Sequence, residues 1–240
     1  MGYNNCVMLD PAVEQLWQVY LEAESIFLRS KSMPALERFI TALLALPEEE
    51  WQAWALAIAR LVVDEGQDIP VRTQLFIRVL CPALVKGTLT RMPGCARWLL
   101  HFHDWLYRCQ EAIGSLPEQL QTSSGLLEEA VKVDPTDTLS RKRFITWCSS
   151  YLVYTLHELP SGILYGMNAA TATQCEELLQ LLSLFSSQVD VTGQRGQYKE
   201  LIAACAFHFS TYRDYLLAGC SGLSYEAFFL HGSRARQNRW

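Results

Sequence analysis

Cys205 and His208 lie three residues apart, so that a helix would place both side chains on one face. Such a pair could bind a metal ion or form a thiolate–imidazole nucleophile. No neighbouring acidic residue supplies an obvious third member, and both residues lie within an apolar helical pattern. We therefore interpret Cys205 as a core thiol beside a hydrogen-bonded histidine.

The sequence His101-Phe102-His103-Asp104 is the most metal-like cluster in the chain. Residues two apart on a helix point to nearly opposite sides, so the two histidines cannot easily bind one ion. His157-Glu158 begins like the zinc-protease motif H-E-x-x-H, but position 161 is Ser. We predict no catalytic residue, no cofactor and no metal ligand, and an enzyme using these histidines or Cys205 is the third-ranked hypothesis.

The eight cysteines are scattered without a C-x-x-C pair, which favours reduced thiols in a cytoplasmic protein. The first ten residues have neither a basic region nor an apolar run, so we expect no secretory signal. The longest charge-free apolar stretch, residues 144–156, is shorter than the ~20 residues that a membrane-spanning helix needs. These features predict a cytoplasmic protein that does not act at a membrane.

Acidic residues are concentrated at the front of the chain. Residues 1–65 hold ten acids and four bases, against three acids and six bases in residues 191–240. An acidic front does not suit direct nucleic-acid binding and could suit a basic protein partner, although a solvated surface explains it equally well. The acidic residues to test first are Glu48, Glu49, Glu50, Asp64 and Glu65, followed by Glu22 and Glu24.

Apolar residues recur at helical spacing along most of the chain. Asp10-Pro11 predicts a helix start, with Tyr20 and Phe27 on its apolar face. Further helices are predicted to begin at Pro34 and Pro47. The next two span about 70–87, with a kink at Pro82, and 93–114. Later helices are expected at about 126–133, at 137–157, from Thr171, and from about 197 to 216.

No stretch alternates with the period of a β-strand, so we predict an all-α protein. The expected architecture is an irregular bundle or short solenoid of antiparallel helical hairpins, with about eight to ten helices. We predict a single helical domain, 1–240, with a soft sub-boundary near 115–125. This boundary separates an N-terminal half (1–114) from a C-terminal half (125–231), which is followed by a tail (232–240).

The stretch HELPSGILYGMN, residues 157–168, interrupts the helices with two Gly and a Pro yet carries apolar residues. One interpretation is a compact loop whose aliphatic side chains plug the core. The other is a binding loop, in which Tyr165 and Asn168 offer an aromatic anchor and an amide to a partner. Both alternatives remain open for these two residues.

The segment LLEEAVKVDPTD, residues 126–137, followed by another helix, resembles the junction between tetratricopeptide repeats. No second copy occurs at a period near 34 residues. The resemblance implies an antiparallel helical hairpin at this point. It also suggests an alternative function, a tetratricopeptide-like scaffold or regulator that binds a peptide or protein in a groove.

The overall character of the chain resembles the small acidic helical immunity proteins that bacteria encode beside polymorphic or type VI secretion toxins. This resemblance rests on class-level features: a helical body, an acidic front and no catalytic motif. It implies a cytoplasmic inhibitor that occludes the active site of a toxin, often a nuclease or other hydrolase with a basic cleft. The oligomeric state stays open.

Overall fold

The computed structural model describes residues 9–158 and 171–219, together with Tyr225, Ala227 and Phe228. Within these residues the regular secondary structure is helical, with no β-strand, which confirms the predicted all-α class. The chain divides into two compact units, residues 1–140 and 141–240. The predicted sub-boundary at 115–125 lies inside the first unit, where helices on either side of it pack together.

The first unit begins with three long helices: α1 (Pro11–Ser25), α2 (Arg29–Leu44) and α3 (Glu48–Val63). Asp10 caps α1 as predicted, because its Oδ1 accepts a hydrogen bond of 2.8 Å from the Ala12 N–H. Pro47 precedes α3, and Gly66 follows that helix with a φ of +65°. This is the left-handed conformation that glycine adopts most easily, so it explains the predicted stop.

The predicted start of the second helix at Pro34 is wrong, because α2 begins five residues earlier and holds Pro34 inside it. Proline lacks the N–H that would bond to the carbonyl of Ser30. Ser30 is exposed, so water can satisfy that carbonyl, and the helix tolerates the proline.

The helix predicted over about 70–87 is divided into three segments and changes type just before Pro82. Here α4 (Thr73–Leu75) passes into a π-helical segment (Phe76–Leu80) and then into α5 (Cys81–Leu89). Because Pro82 offers no N–H to the preceding turn, the regular hydrogen-bond ladder is interrupted at this point.

The single helix predicted over 93–114 is also wrong. The structure has three short helices in this range: α6 (Cys95–His101), α7 (His103–Leu106) and α8 (Gln110–Ile113). Phe102 and Cys109 leave helical geometry at the two breaks and remain buried, so the chain bends around its core. A 3₁₀ turn (Glu118–Gln121) and α9 (Ser123–Val133) follow, and α9 packs against α6.

The core of the first unit is centred on aromatic side chains. Trp17, Phe39 and Trp54 contact one another with ring centroids 4.8–5.2 Å apart, and Tyr20 lies 5.2 Å from Trp17. Such tilted and edge-on pairs are the favourable geometries for aromatic rings. They join α1, α2 and α3 into one packed body.

The second unit contains most of α10 (Thr138–Glu158), then α11 (Ala172–Val191) and α12 (Arg195–Leu217). Thr171 caps α11 through a capping box with Gln174, which confirms the predicted start. A short turn joins α11 to α12, which pack along each other as an antiparallel hairpin. Their buried residues include Phe185, Val189, Cys205 and Phe209.

Candidate protein-binding surface

Cys205 lies in the core of the second unit and is fully buried. Burial raises the pKa of its thiol to about 12. His208 is half-buried, burial lowers its pKa, and its Nδ1 lies 3.4 Å from the Tyr225 hydroxyl. A thiol that is protonated and closed to solvent is a poor nucleophile, so the environment opposes thiolate chemistry at this position.

We expect Cys205 in the folded protein to resist alkylation. Relative to an ordinary thiol, its reaction with iodoacetamide at pH 8 should be slower by on the order of a thousandfold, because the thiolate is scarce and buried. Mass spectrometry of peptides from folded and urea-unfolded protein measures the difference. Rapid labelling of Cys205 alone in the folded protein would contradict this and support a catalytic thiol.

The histidine clusters lie on the surface. His103 is exposed and lies 3.0 Å from the Asp104 carboxylate, while the exposed His101 packs edge-on against Phe102. Nowhere in the described part of the chain do three His, Cys, Asp or Glu side chains come together so that they could hold a metal ion.

The structure does bring two thiols together: Cys81 and Cys109 are both buried, and a hydrogen bond connects their thiols.

Three of the five acidic candidates have partners within the first unit. Glu48 lies 2.8 Å from the Lys86 ammonium and also accepts a hydrogen bond from Gln52. Glu65 pairs with Arg60 at 3.2 Å. Asp64 accepts a hydrogen bond from Arg97 at 2.5 Å and another from the Trp98 indole at 2.8 Å. These three carboxylates already have partners within the unit, Asp64 in a part-buried network and the other two in exposed pairs, which reduces what they can offer to a partner.

The remaining acidic candidates are Glu49 and Glu50, in the first turn of α3. Both are exposed, and neither pairs with another residue of the described chain. Of the second set, Glu22 is exposed and Glu24 is buried. Tyr165 and Asn168, with most of the stretch 157–168, lie outside the described residues, as do 229–240.

The strongest surface feature was not predicted from the sequence. Three consecutive apolar residues between α1 and α2, which we call the apolar turn, are exposed to solvent: Ile26 (56%), Phe27 (91%) and Leu28 (42%). Phe27 has a φ of 54°, in the left-handed region that large side chains rarely adopt. Runs of exposed apolar residues and unusual backbone angles are both typical of functional surfaces.

The prediction that Phe27 packs on the apolar face of the first helix is therefore wrong. The helix α1 ends at Ser25, two residues before Phe27. The Phe27 N–H donates to the Glu24 carbonyl at 2.9 Å, which closes a tight turn instead of continuing the helix. The change in backbone direction turns the side chain away from the face that contains Tyr20.

Glu24 fixes the start of the apolar turn. Its buried carboxylate accepts two hydrogen bonds from Arg72, one from Nε at 3.0 Å and the other from Nη2, and a further one from Ser32. The bond from Arg72 is the main reason that the pKa of Glu24 lies below its usual value. Since Glu24 lies in α1 and Ser32 in α2, these contacts tie both ends of the turn to the body of the unit.

A second surface feature belongs to the second unit alone. An open groove of about 800 Å³ lies between α10 and α12. Its walls include Val153 and Tyr154, which are both more than half exposed, as well as Tyr198 and Leu201. Aromatic and aliphatic side chains around an open depression are the composition of grooves that take a peptide.

Comparisons of the chain with protein-family models, with curated proteins and with solved structures gave no match. Among the described residues, no helix combines the length and the apolar character that crossing a bilayer requires. What the structure itself defines is an all-α protein with an exposed apolar turn whose two ends are pinned.

Proposed function

We propose that this protein acts by binding another protein, with the apolar turn as the anchor of the interface. The observation that carries the proposal is the 91% exposure of Phe27 in a turn fixed by Glu24. Because contacts of Glu24 fix the backbone of the turn, little backbone entropy is lost when a partner buries the exposed aromatic ring. Protein–protein interfaces are enriched in such aromatic anchors.

We further propose that the protein is a bacterial cytoplasmic inhibitor, an immunity protein that occludes the active site of a toxin such as a nuclease or other hydrolase. Glu49 and Glu50 support this finer proposal, because they are exposed and have no described partner. Carboxylates in this state can attract a basic cleft and speed the encounter, while the apolar turn slows dissociation.

We expect Phe27→Asn to weaken partner binding strongly without harming the fold. Asparagine accepts a positive φ better than phenylalanine, so the free energy of unfolding should stay the same or rise slightly. Loss of a central aromatic anchor typically costs 2 kcal/mol or more, which corresponds to a roughly thirtyfold or greater increase in Kd.

A photo-crosslinking amino acid at position 27, introduced in the native cell, identifies the partner by mass spectrometry.

The matched control is Leu89→Asn, because Leu89 is also an exposed apolar residue of the first unit (47%). It should leave partner binding unchanged. Equal binding by the wild type and the Phe27→Asn variant would contradict the proposal that the apolar turn anchors the interface.

The inhibitor proposal has its own test. The partner found by crosslinking is expressed in cells without this protein, and growth is measured with and without co-expression. Growth arrest that wild-type protein relieves, and that Phe27→Asn fails to relieve, is the expected result. A harmless partner would contradict inhibition while leaving protein binding intact.

A tetratricopeptide-like scaffold is the second candidate function, favoured by the groove beside Tyr154 and Tyr198. In that case the photo-crosslinker would capture the partner from position 154 and not from position 27. The two placements of one probe therefore distinguish the two binding modes.

A further inference from the structure

Three arginines from distant parts of the sequence line one cavity in the first unit. The cavity has a volume of about 330 Å³, and Arg29, Arg72 and Arg108 are all part of its wall. They come from the start of α2, the residue before α4 and the segment between α7 and α8. All three side chains are exposed at the mouth of the cavity, and together they create a positive potential that favours an anion.

One internal carboxylate neutralises part of this charge. Arg72 holds Glu24 through hydrogen bonds donated by its Nε and Nη2. Arg108 donates Nε to the Tyr107 hydroxyl at 2.8 Å and lies over that ring, which positions the guanidinium without neutralising it. Arg29 acts on the same Glu24 carboxylate through its charge, which helps to lower the pKa of that group. With three positive charges against Glu24, the cavity keeps a net charge near +2, which matches a dianion.

The rest of the wall fits a small phosphorylated molecule. Thr73 and Gln74 add a hydroxyl and an amide that can donate to oxygen atoms. Met33 and Ile77 add apolar surface that a carbon skeleton could contact. The cavity is at the small end of the range for ligand pockets, and guanidinium groups bind phosphate oxygens in a forked geometry.

We propose that this cavity is a binding site for a small phosphomonoester, with Arg29, Arg72 and Arg108 holding the phosphate. The proposal is independent of the protein-binding function. A phosphomonoester dianion balances the charge of the cavity, and a short carbon skeleton attached to it fits against Met33 and Ile77.

The test is calorimetric titration of the full chain with glycerol phosphate, inorganic phosphate and sulfate at constant ionic strength. We expect saturable binding of glycerol phosphate with a Kd below about 1 mM, and weaker binding of inorganic phosphate, which lacks the carbon skeleton. Because the second pKa of a phosphomonoester is about 6, affinity for glycerol phosphate should rise between pH 5.5 and 7.5 as the dianion forms. Sulfate is a dianion throughout this range, so its affinity should not change.

Arg29→Gln combined with Arg108→Gln should weaken glycerol phosphate binding at least about tenfold. Arg72 is left unchanged because its removal would leave the buried Glu24 carboxylate without its main hydrogen-bond donor. The control is Arg38→Gln with Arg78→Gln, which removes the same charge from exposed arginines of the same unit outside the cavity. Equal weakening by both pairs, or the absence of saturable binding by the wild type, would overturn the proposal.

Discussion

An Arg97→Met variant is expected to lose about 3 kcal/mol of unfolding free energy, which would lower the Tm by about 10 °C. Arg97 is buried in the first unit between two carboxylates. Its Nη1 donates to Asp64 at 2.5 Å, and its Nε lies 2.6 Å from Asp137 in an ion pair whose angle falls outside hydrogen-bond geometry. Methionine would fill the space of the side-chain stem but leave both carboxylates without their cation.

The loss has this size because Arg97 joins three parts of the unit. Asp64 is the C-cap of α3, Arg97 lies in α6, and Asp137 directly precedes α10. Trp98 adds a further hydrogen bond from α6 to Asp64. Breaking a buried ion pair by removing one partner costs more than the pair contributes, since the remaining charge stays desolvated.

The stability that Arg97 contributes should decrease at low pH. Burial opposes ionisation of Asp137, but hydrogen bonds from Ser140 and the charge of Arg97 hold its pKa below the ordinary value. The contribution of Arg97 is therefore fully present at neutral pH and disappears as pH falls through that lowered pKa, below about 3.9. Thermal unfolding of the wild type and of Arg97→Met at pH 7 and at pH 3 to 4 is the measurement. The difference in Tm between the two proteins should be smaller at the lower pH.

Arg38→Met provides the control, because Arg38 is an exposed arginine of α2. Its effect should stay within about 0.5 kcal/mol. A similar Tm for Arg97→Met and Arg38→Met at pH 7 would show that the Arg97 network does not stabilise the unit.

A Gly125→Ala variant is expected to lose about 2 to 3 kcal/mol of unfolding free energy. A Cβ at position 125 would lie 1.6 Å from the backbone oxygen of Gln119 and 2.7 Å from its carbonyl carbon. No rotamer change relieves a clash with backbone, so the 3₁₀ turn or the start of α9 has to move. Urea unfolding should show a lower midpoint with an unchanged slope.

Gly196→Ala is the matched comparison for this glycine. Gly196 lies in the first turn of α12, and a Cβ there meets nothing within 4 Å. Alanine has the higher helix propensity, so this change should be neutral or should stabilise the protein by up to about 1 kcal/mol. Equal stability of the two variants would show that the Gln119 backbone does not approach Gly125 as closely as the structure places it.

For the acidic candidates, the sequence predicts which carboxylates lie at a helix start but not which of them have a partner. Three consecutive glutamates after Pro47 predict exposed carboxylates at a helix start, and Glu49 and Glu50 are exposed there. The sequence could not indicate that Asp64 pairs with Arg97, because the partner lies 33 residues away. Charge counts identify where acids are abundant, whereas only the fold decides which of them neutralise a neighbour.

The apolar turn escaped prediction for a related reason. Phe27 continues the helical spacing of apolar residues that begins with Trp17 and Tyr20, so periodicity alone places it in the core. A hydrogen bond of Arg72 to Glu24, 48 residues apart, fixes the chain where α1 ends. A local pattern contains no information about such a partner.

The sequence by itself determined the helical class, the capped starts at Asp10 and Thr171, and most of the residues that face the core. These features depend on interactions within a few residues, which periodicity and capping chemistry express directly. Tertiary structure alone decided that Phe27 faces solvent, that Arg29, Arg72 and Arg108 line one cavity, and that Arg97 lies between two aspartates. Each of these results depends on contacts between distant segments, whose free energy is set by how the helices pack together.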